Sequence, residues 1–175
     1  MVLKRVLLTG VSGTGKSTLI GALAARGYKA VDTDAEDWSE WVKVDGNPTG
    51  ANPGHDWRWA EDRIQRLLAA EDSEVLFVSG CAENMVKFYP QFDQIILLSV
   101  PVPIIVERLA GRRNNPYGKR PEELDRVLEH IRIVEPKLRR AAGHEIDTNA
   151  SLTEVVENVL ELLDLPERSV ATGQR

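Results

Sequence analysis

The 175-residue chain has a single cysteine, Cys81, and only three histidines. One cysteine cannot form an intramolecular disulfide, and three scattered histidines argue against a structural zinc site. Apolar runs are short, and none approaches the roughly 20 residues that a membrane-spanning helix needs. The start of the chain, residues 1–9, is too short an apolar stretch for a signal peptide, because glycine-rich polar sequence follows at once. The sequence therefore predicts a cytoplasmic protein without a membrane partner.

Charge of one sign is only slightly in excess, with a net charge of −5 at pH 7. This acidic balance argues against a general nucleic-acid-binding protein. Hydrophobic residues make up 42% of the chain and charged residues 28%, which excludes wholesale disorder. We expect one domain over residues 1–165, a flexible polar tail over 166–175, and a monomer or homodimer.

Short apolar runs alternate with segments of helical periodicity along the chain. Each run ends at glycine, proline or a polar residue, and helical spacing of apolar residues recurs between the runs. The predicted strands are residues 5–9, 29–32, 74–79, 94–100 and 144–147, the predicted helices 16–26, 57–70, 102–111, 121–142 and 151–163, and a loop is expected at 45–56. This alternation predicts an α/β fold with a five-stranded parallel sheet covered by helices on both faces. Ligands of such sheets bind at the carboxyl ends of the strands.

The segment GVSGTGKS, residues 10–17, follows the first predicted strand and matches G-x-x-x-x-G-K-[ST] at each fixed position. Its glycines let backbone amides curl around phosphate oxygens, and the next helix contributes its positive N-terminal end. Lys16 would reach the β and γ phosphates and Ser17 would offer a hydroxyl to Mg²⁺. The pattern predicts ATP and Mg²⁺ binding. Candidate nucleotide contacts are Gly10, Ser12, Gly13, Thr14, Gly15, Lys16, Ser17 and Thr18.

Two carboxylates, Asp32 and Asp34, lie at the carboxyl end of the second predicted strand, and the two-residue period of a strand predicts that they point the same way. One can hold Mg²⁺, usually through water, and the other can accept a proton from an attacking hydroxyl. A solvated acidic loop is the alternative, since three further acidic residues follow by Glu40. No acidic residue ends the third strand, which favours Asp32 as the metal ligand beside Ser17.

Together, the P-loop, the Asp-x-Asp after the second strand and the glycine turn after the third resemble shikimate kinases and related small-molecule kinases. Nucleoside monophosphate kinases and gluconate kinases share this core, and the resemblance covers about residues 4–163. It implies the three-layer P-loop kinase fold and makes Asp34 the group that receives the substrate hydroxyl. It also implies that Arg58, in the WRWAE segment at 57–61, binds a substrate anion from a helix.

The resemblance places Gly80 in the turn that contacts substrate, although the family's run of glycines is here SGCAE at 79–83. Cys81 lies beside that turn and is a candidate substrate contact, with a buried inert thiol as the alternative. The late family arginine that clamps a carboxylate has no clear match. Candidates are Arg132, Arg139 and Arg140. The acceptor-binding region is expected at about residues 35–70.

An arginine-rich segment broken by Gly, Asn and Pro lies between the third and fourth predicted helices. Such a hinged cationic loop suits a lid that closes over a triphosphate at about residues 112–120, the position of the lid in the resembled kinases. Arg112 is the candidate catalytic arginine, Arg113 a second nucleotide contact, and Arg108 the contact on the nucleobase side. A solvated basic connection is the alternative.

These features predict a phosphotransferase that moves the γ-phosphoryl group of ATP to a small anionic metabolite, with Lys16, Asp34 and Arg112 as catalytic residues. A shikimate-like alcohol is favoured by Asp34, whereas a nucleoside monophosphate is favoured by the tryptophans at 38, 41, 57 and 59, which can stack on a base. A nucleotide-dependent switch or assembly ATPase is the alternative from another class.

Overall fold

The structure is a computed structural model that describes residues 3–35, 37–50, 52–113 and 115–169. Its strands are β1 (Lys4–Thr9), β2 (Lys29–Asp32), β3 (Ser39–Lys43), β4 (His55–Trp59), β5 (Val75–Ser79), β6 (Gln94–Ser99) and β7 (His144–Asp147). Its α-helices are α1 (Lys16–Ala25), α2 (Glu61–Ala69), α3 (Val102–Gly111), α4 (Pro121–Ile133), α5 (Glu135–Ala141) and α6 (Leu152–Leu162). A 3₁₀ helix spans Glu83–Gln91. The tail predicted at 166–175 lies outside the described residues from 170 onward.

Five strands form a parallel sheet in the order β2-β5-β1-β6-β7, which confirms the predicted sheet. In β1, Val6 and Leu8 face one side while Leu7 faces the other, and all three are fully buried. Helices α1 and α6 cover the first side, and α2, α5 and the 3₁₀ helix cover the second. The central position of β1 therefore places the loop that follows it at the middle of the carboxyl edge.

The predicted helix over residues 57–70 is wrong in its first four residues. His55–Trp59 forms an antiparallel hairpin with Ser39–Lys43, and α2 begins only at Glu61. In the hairpin register Trp41 lies opposite Trp57, and their ring centroids are 5.0 Å apart. This aromatic pair is a typical cross-strand contact, so side-chain pairing across the hairpin favours a strand where sequence periodicity favoured a helix.

The long helix predicted over 121–142 is interrupted at Val134, and α5 begins at Glu135 with Pro136 in its first turn. The backbone nitrogen of Pro136 carries no hydrogen and cannot donate to the carbonyl of Arg132 four residues earlier, which accounts for the break. The predicted capping box at the last helix is confirmed, because Ser151 Oγ accepts a hydrogen bond from the Glu154 amide and the Glu154 side chain accepts from the Ser151 amide.

Among the described residues, no helix has both the length and the apolar character needed to cross a membrane.

Candidate active site

The loop after β1 has the backbone geometry of a phosphate-binding loop. Gly13 and Gly15 have φ angles of 87° and 94°, a region that side chains with a Cβ rarely adopt, and α1 begins immediately at Lys16. The Lys16 ammonium donates hydrogen bonds to the carbonyl oxygens of Gly10 at 2.7 Å and Val11 at 3.2 Å. The lysine charge is thus held over the loop, where phosphate oxygens would bind.

A cleft of about 410 Å³ opens above this loop, within the range of small-molecule sites. Its lining includes these predicted residues: Ser12, Gly13, Gly15, Lys16, Ser17, Thr18, Asp34, Arg108 and Arg112. Asn115, Thr148, Ala150, Leu152 and Val155 complete much of the remaining wall. The other predicted contacts, Gly10, Thr14, Asp32, Arg58, Gly80, Cys81 and Arg113, do not line this cleft.

Asp32 ends β2 and lies directly against the P-loop serine. Ser17 Oγ donates to Asp32 Oδ2 at 2.5 Å, and Ser79 Oγ donates to Asp32 Oδ1 at 3.4 Å. A hydroxyl and a carboxylate are hard oxygen donors of the kind that Mg²⁺ prefers, and Mg²⁺ in such sites takes its remaining ligands from water and phosphates. Because Ser17 and Asp32 lie together beside the P-loop, they are two oxygen donors that fit Mg²⁺ next to a triphosphate.

Asp34 lies in a turn beyond the end of β2, so the expected strand alternation of Asp32 and Asp34 does not apply. Its carboxylate lines the cleft and accepts no hydrogen bond from the residues that the structure describes. Although the residue is exposed to the cleft, limited hydration raises its pKa above the ordinary value; Lys16 opposes this shift and Asp32 adds to it. An unpartnered carboxylate with a raised pKa beside a phosphate cradle is suited to accept a proton.

Arg108 joins α3 to the P-loop and to the loop after β7. Its guanidinium donates to the Gly13 carbonyl at 3.3 Å, to Thr148 Oγ1 at 3.0 Å and to the Thr148 carbonyl at 2.6 Å. Thr148 Oγ1 in turn donates to the Thr14 carbonyl at 2.7 Å. Arg108 thus lines the cleft next to the loop after β7, and its contact with a nucleobase stays a prediction.

Arg112 follows α3 and faces the cleft from the predicted lid. It donates to the carbonyls of Asn115 at 2.9 Å and Tyr117 at 2.6 Å, and its burial lowers the pKa of the guanidinium from its usual high value. Arg113 is exposed and lies outside the cleft lining. Of the two predicted lid arginines, Arg112 is therefore the one that lies in the cleft.

Gly80 is buried beneath side chains and does not face the cleft. A Cβ at this position would lie 2.9 Å from Trp59 Nε1 and would also collide with Thr33 Oγ1. The glycine is thus required for close packing of Thr33 and Trp59. Cys81 follows it, and desolvation raises the pKa of its thiol; Lys16 lowers that pKa and Asp34 raises it, which places Cys81 in the same charged neighbourhood.

The expectation that Arg58 lies on a helix is wrong, because it belongs to β4. Arg58 Nε donates to Asp56 at 2.9 Å and its terminal nitrogen donates to Glu83 at 2.6 Å. A second cleft of about 510 Å³, between the hairpin and α2, includes Arg58 in its lining. The candidate anion-binding arginine is thus already paired with two carboxylates.

Sequence patterns singled out neither Thr33 nor Arg126 as a functional residue, and they placed Thr148 only at the end of the last strand. Thr148 is buried and bonded to the P-loop, but the only sequence signal was its place after a short strand. Arg126 on α4 lies against the Gly50 backbone in the hairpin loop and lines neither of the two clefts. It makes no hydrogen bond or ion pair within the part of the chain described. Of the candidates for a late family arginine, Arg132 pairs with Glu129, and Arg139 pairs with Glu135 and Glu145.

Comparison with known families matches residues 6–129 to the family described as AAA domain, which is well over half of the chain. The chain belongs to this family. This AAA domain is also 27% identical over 162 residues to a nucleotide-binding protein of Thermosipho africanus. The match covers 90% of the present chain and 53% of that relative, so this AAA domain spans about half of the relative's length. A dephospho-CoA kinase of Helicobacter pylori is 25% identical, with 94% of both chains covered.

Solved structures similar to this AAA domain include small-molecule kinases. Shikimate kinase from Acinetobacter baumannii in complex with shikimate superposes with a TM-score of 0.63 at 19% identity, covering 92% of this chain and 93% of the other. A gluconokinase from Sinorhizobium meliloti 1021 superposes with a TM-score of 0.61 at 20% identity, and the match covers 92% of this chain and 91% of that chain. At these identities the likeness shows the fold, and it confirms the predicted P-loop kinase architecture.

Proposed function

We propose that this protein is a small-molecule kinase that transfers the γ-phosphoryl group of ATP to a hydroxyl of an anionic metabolite. The observation that carries the proposal is Asp34, whose carboxylate has no partner among the described residues and lines the same cleft as Lys16 and Ser17. The dephospho-CoA kinase relative, which is similar over nearly the full chain, supports phosphotransfer as the reaction class.

Different residues of the chain would bind ATP and activate the acceptor. The P-loop amides and Lys16 would bind the phosphates of ATP and stabilise negative charge on the transferred group. Asp34 would accept the proton from the attacking hydroxyl and orient its oxygen. Arg112, already inside the cleft, would add positive charge when the lid closes and would exclude water.

Mg²⁺ would be held by Ser17 directly and by Asp32, the two oxygen donors that lie together beside the P-loop. When bound it would neutralise charge on the β and γ phosphates. Loss of acceptor phosphorylation on chelation with EDTA, and its return on adding Mg²⁺, would support this assignment.

The acceptor anion has two candidate ligands with different surroundings. Arg58 would need to exchange Asp56 or Glu83 for the substrate, whereas Arg126 makes no hydrogen bond or ion pair in the described part of the chain. The Arg126 guanidinium also lies against Gly50 of the hairpin loop, and that glycine belongs to the predicted acceptor region at about residues 35–70. We therefore favour Arg126 as the residue that binds the acceptor anion.

A panel of acceptors tests the function directly. ATP consumption and product mass are measured with shikimate, gluconate, dephospho-CoA and nucleoside monophosphates, using Lys16→Met as the matched inactive control. The proposal predicts acceptor-dependent ADP formation and a phosphorylated product with the wild type, and a loss of several orders of magnitude with Lys16→Met. ATP turnover that no metabolite changes, but that a protein partner stimulates, would contradict the kinase assignment and favour a switch or assembly ATPase.

A further inference from the structure

The turn that carries Asp34 is bonded to the end of β5. The amide and the hydroxyl of Thr33 both donate to the carbonyl oxygen of Ser79, at 3.0 Å and 2.5 Å. Thr33 is fully buried, so these bonds are shielded from water. The turn after β2 and the turn after β5 are therefore joined directly beneath the cleft.

The base of the β3–β4 hairpin bonds to the same turn from the other side. Ser39 Oγ donates to the Thr33 carbonyl at 2.5 Å, and the Ser39 amide donates to the Ala35 carbonyl at 3.1 Å. The Asp34 amide donates to Asp32 Oδ1 at 3.1 Å. Both polar groups of the peptide unit between Thr33 and Asp34 are thus bonded, while the Asp34 carboxylate accepts no hydrogen bond from the described residues.

Trp59 extends these contacts to the turn after β5. It lies opposite Ser39 in the hairpin register, and both side chains are at most 3% exposed. Its indole ring packs over Gly80 so closely that a Cβ there would lie 2.9 Å from Nε1. One cross-strand pair of the hairpin therefore contacts both turns, and we call Thr33, Ser39 and Trp59 the hairpin clamp.

We propose that Thr33 and Ser39 are positioning residues, whose hydroxyl groups hold the Asp34 turn in the orientation that presents the carboxylate to the acceptor. This inference rests on the proposed kinase function for its catalytic consequence. The side chain of Asp34 accepts no hydrogen bond from the described residues that would fix it, so its position depends on the backbone of the turn. A displacement of about 1 Å in a reacting group can cost about 100-fold in rate.

Thr33 offers a matched pair of variants. Thr33→Val keeps the shape and removes the hydroxyl, whereas Thr33→Ser keeps the hydroxyl and removes a methyl group. With the acceptor found by the panel, we expect kcat to fall about tenfold or more in Thr33→Val and in Ser39→Ala, with KM for ATP unchanged. Thr33→Ser should stay within about threefold of the wild type.

A control separates positioning from general destabilisation. Val156→Ala on α6 removes buried volume from the opposite face of the sheet, and it should lower the melting temperature without lowering kcat. Equal kcat in Thr33→Val and Thr33→Ser would overturn the inference. So would a kcat loss in Val156→Ala as large as that in Thr33→Val.

Hydrogen exchange of the free protein tests the clamp without any acceptor. Amides of residues 33–35 should exchange faster in Thr33→Val than in Thr33→Ser, while P-loop amides keep the wild-type rate. If the wild type phosphorylates no acceptor but this exchange pattern appears, the result contradicts the proposed kinase function and still supports the hairpin clamp. Unchanged exchange in Thr33→Val would overturn the clamp itself.

Discussion

At the residue scale, the guanidinium of Arg58 contacts two carboxylates, whereas that of Arg126 contacts the backbone of a glycine. The WRWAE segment singled out Arg58 because residue identity and spacing matched a family pattern. A sequence pattern cannot report whether a charge is neutralised by groups distant in sequence, and Glu83 is 25 residues away. Arg126 had no motif around it, so only the fold could show its place beside the hairpin loop.

This contrast predicts that the same arginine-to-methionine substitution affects substrate binding at position 126 and folding stability at position 58. Arg126→Met should raise the KM for an anionic acceptor about tenfold or more, because a charged hydrogen bond to substrate is lost. Arg58→Met should mainly lower the free energy of unfolding, by about 1 kcal/mol, because it breaks partly exposed ion pairs with Asp56 and Glu83. Steady-state kinetics and urea denaturation measure the two effects.

Arg113→Met is the control for removing one arginine, since Arg113 is exposed and outside the cleft. Arg113→Met should change neither the KM for the acceptor nor the free energy of unfolding appreciably. A raised acceptor KM in Arg58→Met with no change in Arg126→Met would reverse the assignment of the anion-binding arginine.

At the element scale, strand and helix positions were predictable wherever local sequence decides them. β1, α1 and α3 follow from compact apolar runs with glycine, proline or a P-loop at their ends. The β3–β4 hairpin was missed because its stability comes from cross-strand contacts such as Trp41 with Trp57 and from burial of Trp59 against Phe88. Trp41 and Trp57 are separated by turn-rich sequence, and Trp59 and Phe88 by a helix and a strand, so periodicity within one segment could not indicate these contacts.

The edge strand β7 carries an ion pair that makes stability depend on pH. Arg139 on α5 donates to both oxygens of Glu145, and these bonds, with one from Ser99, lower the Glu145 pKa from 4.5 to about 2. Because the folded pKa is depressed, the stabilisation is fully present above about pH 4.5. It is lost as the pH falls through the window from 4.5 to about 2.

We therefore expect Glu145→Gln to be less stable than the wild type at pH 7 by less than about 1 kcal/mol, since Glu145 is partly exposed. The difference should shrink as the pH falls below 4.5. Urea denaturation of both proteins between pH 7 and pH 3 measures it, with Glu129→Gln as a control for an exposed helical pair. A stability difference that grew on acidification would contradict a depressed Glu145 pKa in the folded state.

At the scale of the whole molecule, the order β2-β5-β1-β6-β7 brings the P-loop, Asp32 and the Asp34 turn to one edge. Residues 31–74 contain 12 acidic against 4 basic residues, and 103–140 contain 10 basic against 6 acidic ones. The acidic stretch contributes Asp32 and Asp34, and the basic one contributes Arg108 and Arg112. The fold places these segments around one cleft, which the sequence predicted from topology, whereas the hairpin clamp beneath Asp34 required the tertiary structure.

The role of Asp34 as the proton acceptor is tested most directly by single-turnover phosphoryl transfer in wild type and Asp34→Asn, together with ATP affinity. We expect Asp34→Asn to transfer to an alcohol acceptor about 100-fold more slowly or worse, because the proton acceptor is lost. ATP affinity should stay within about threefold, because the P-loop and Arg108 are unchanged. Transfer by Asp34→Asn at the wild-type rate would contradict Asp34 as the base and, with it, the proposed mechanism.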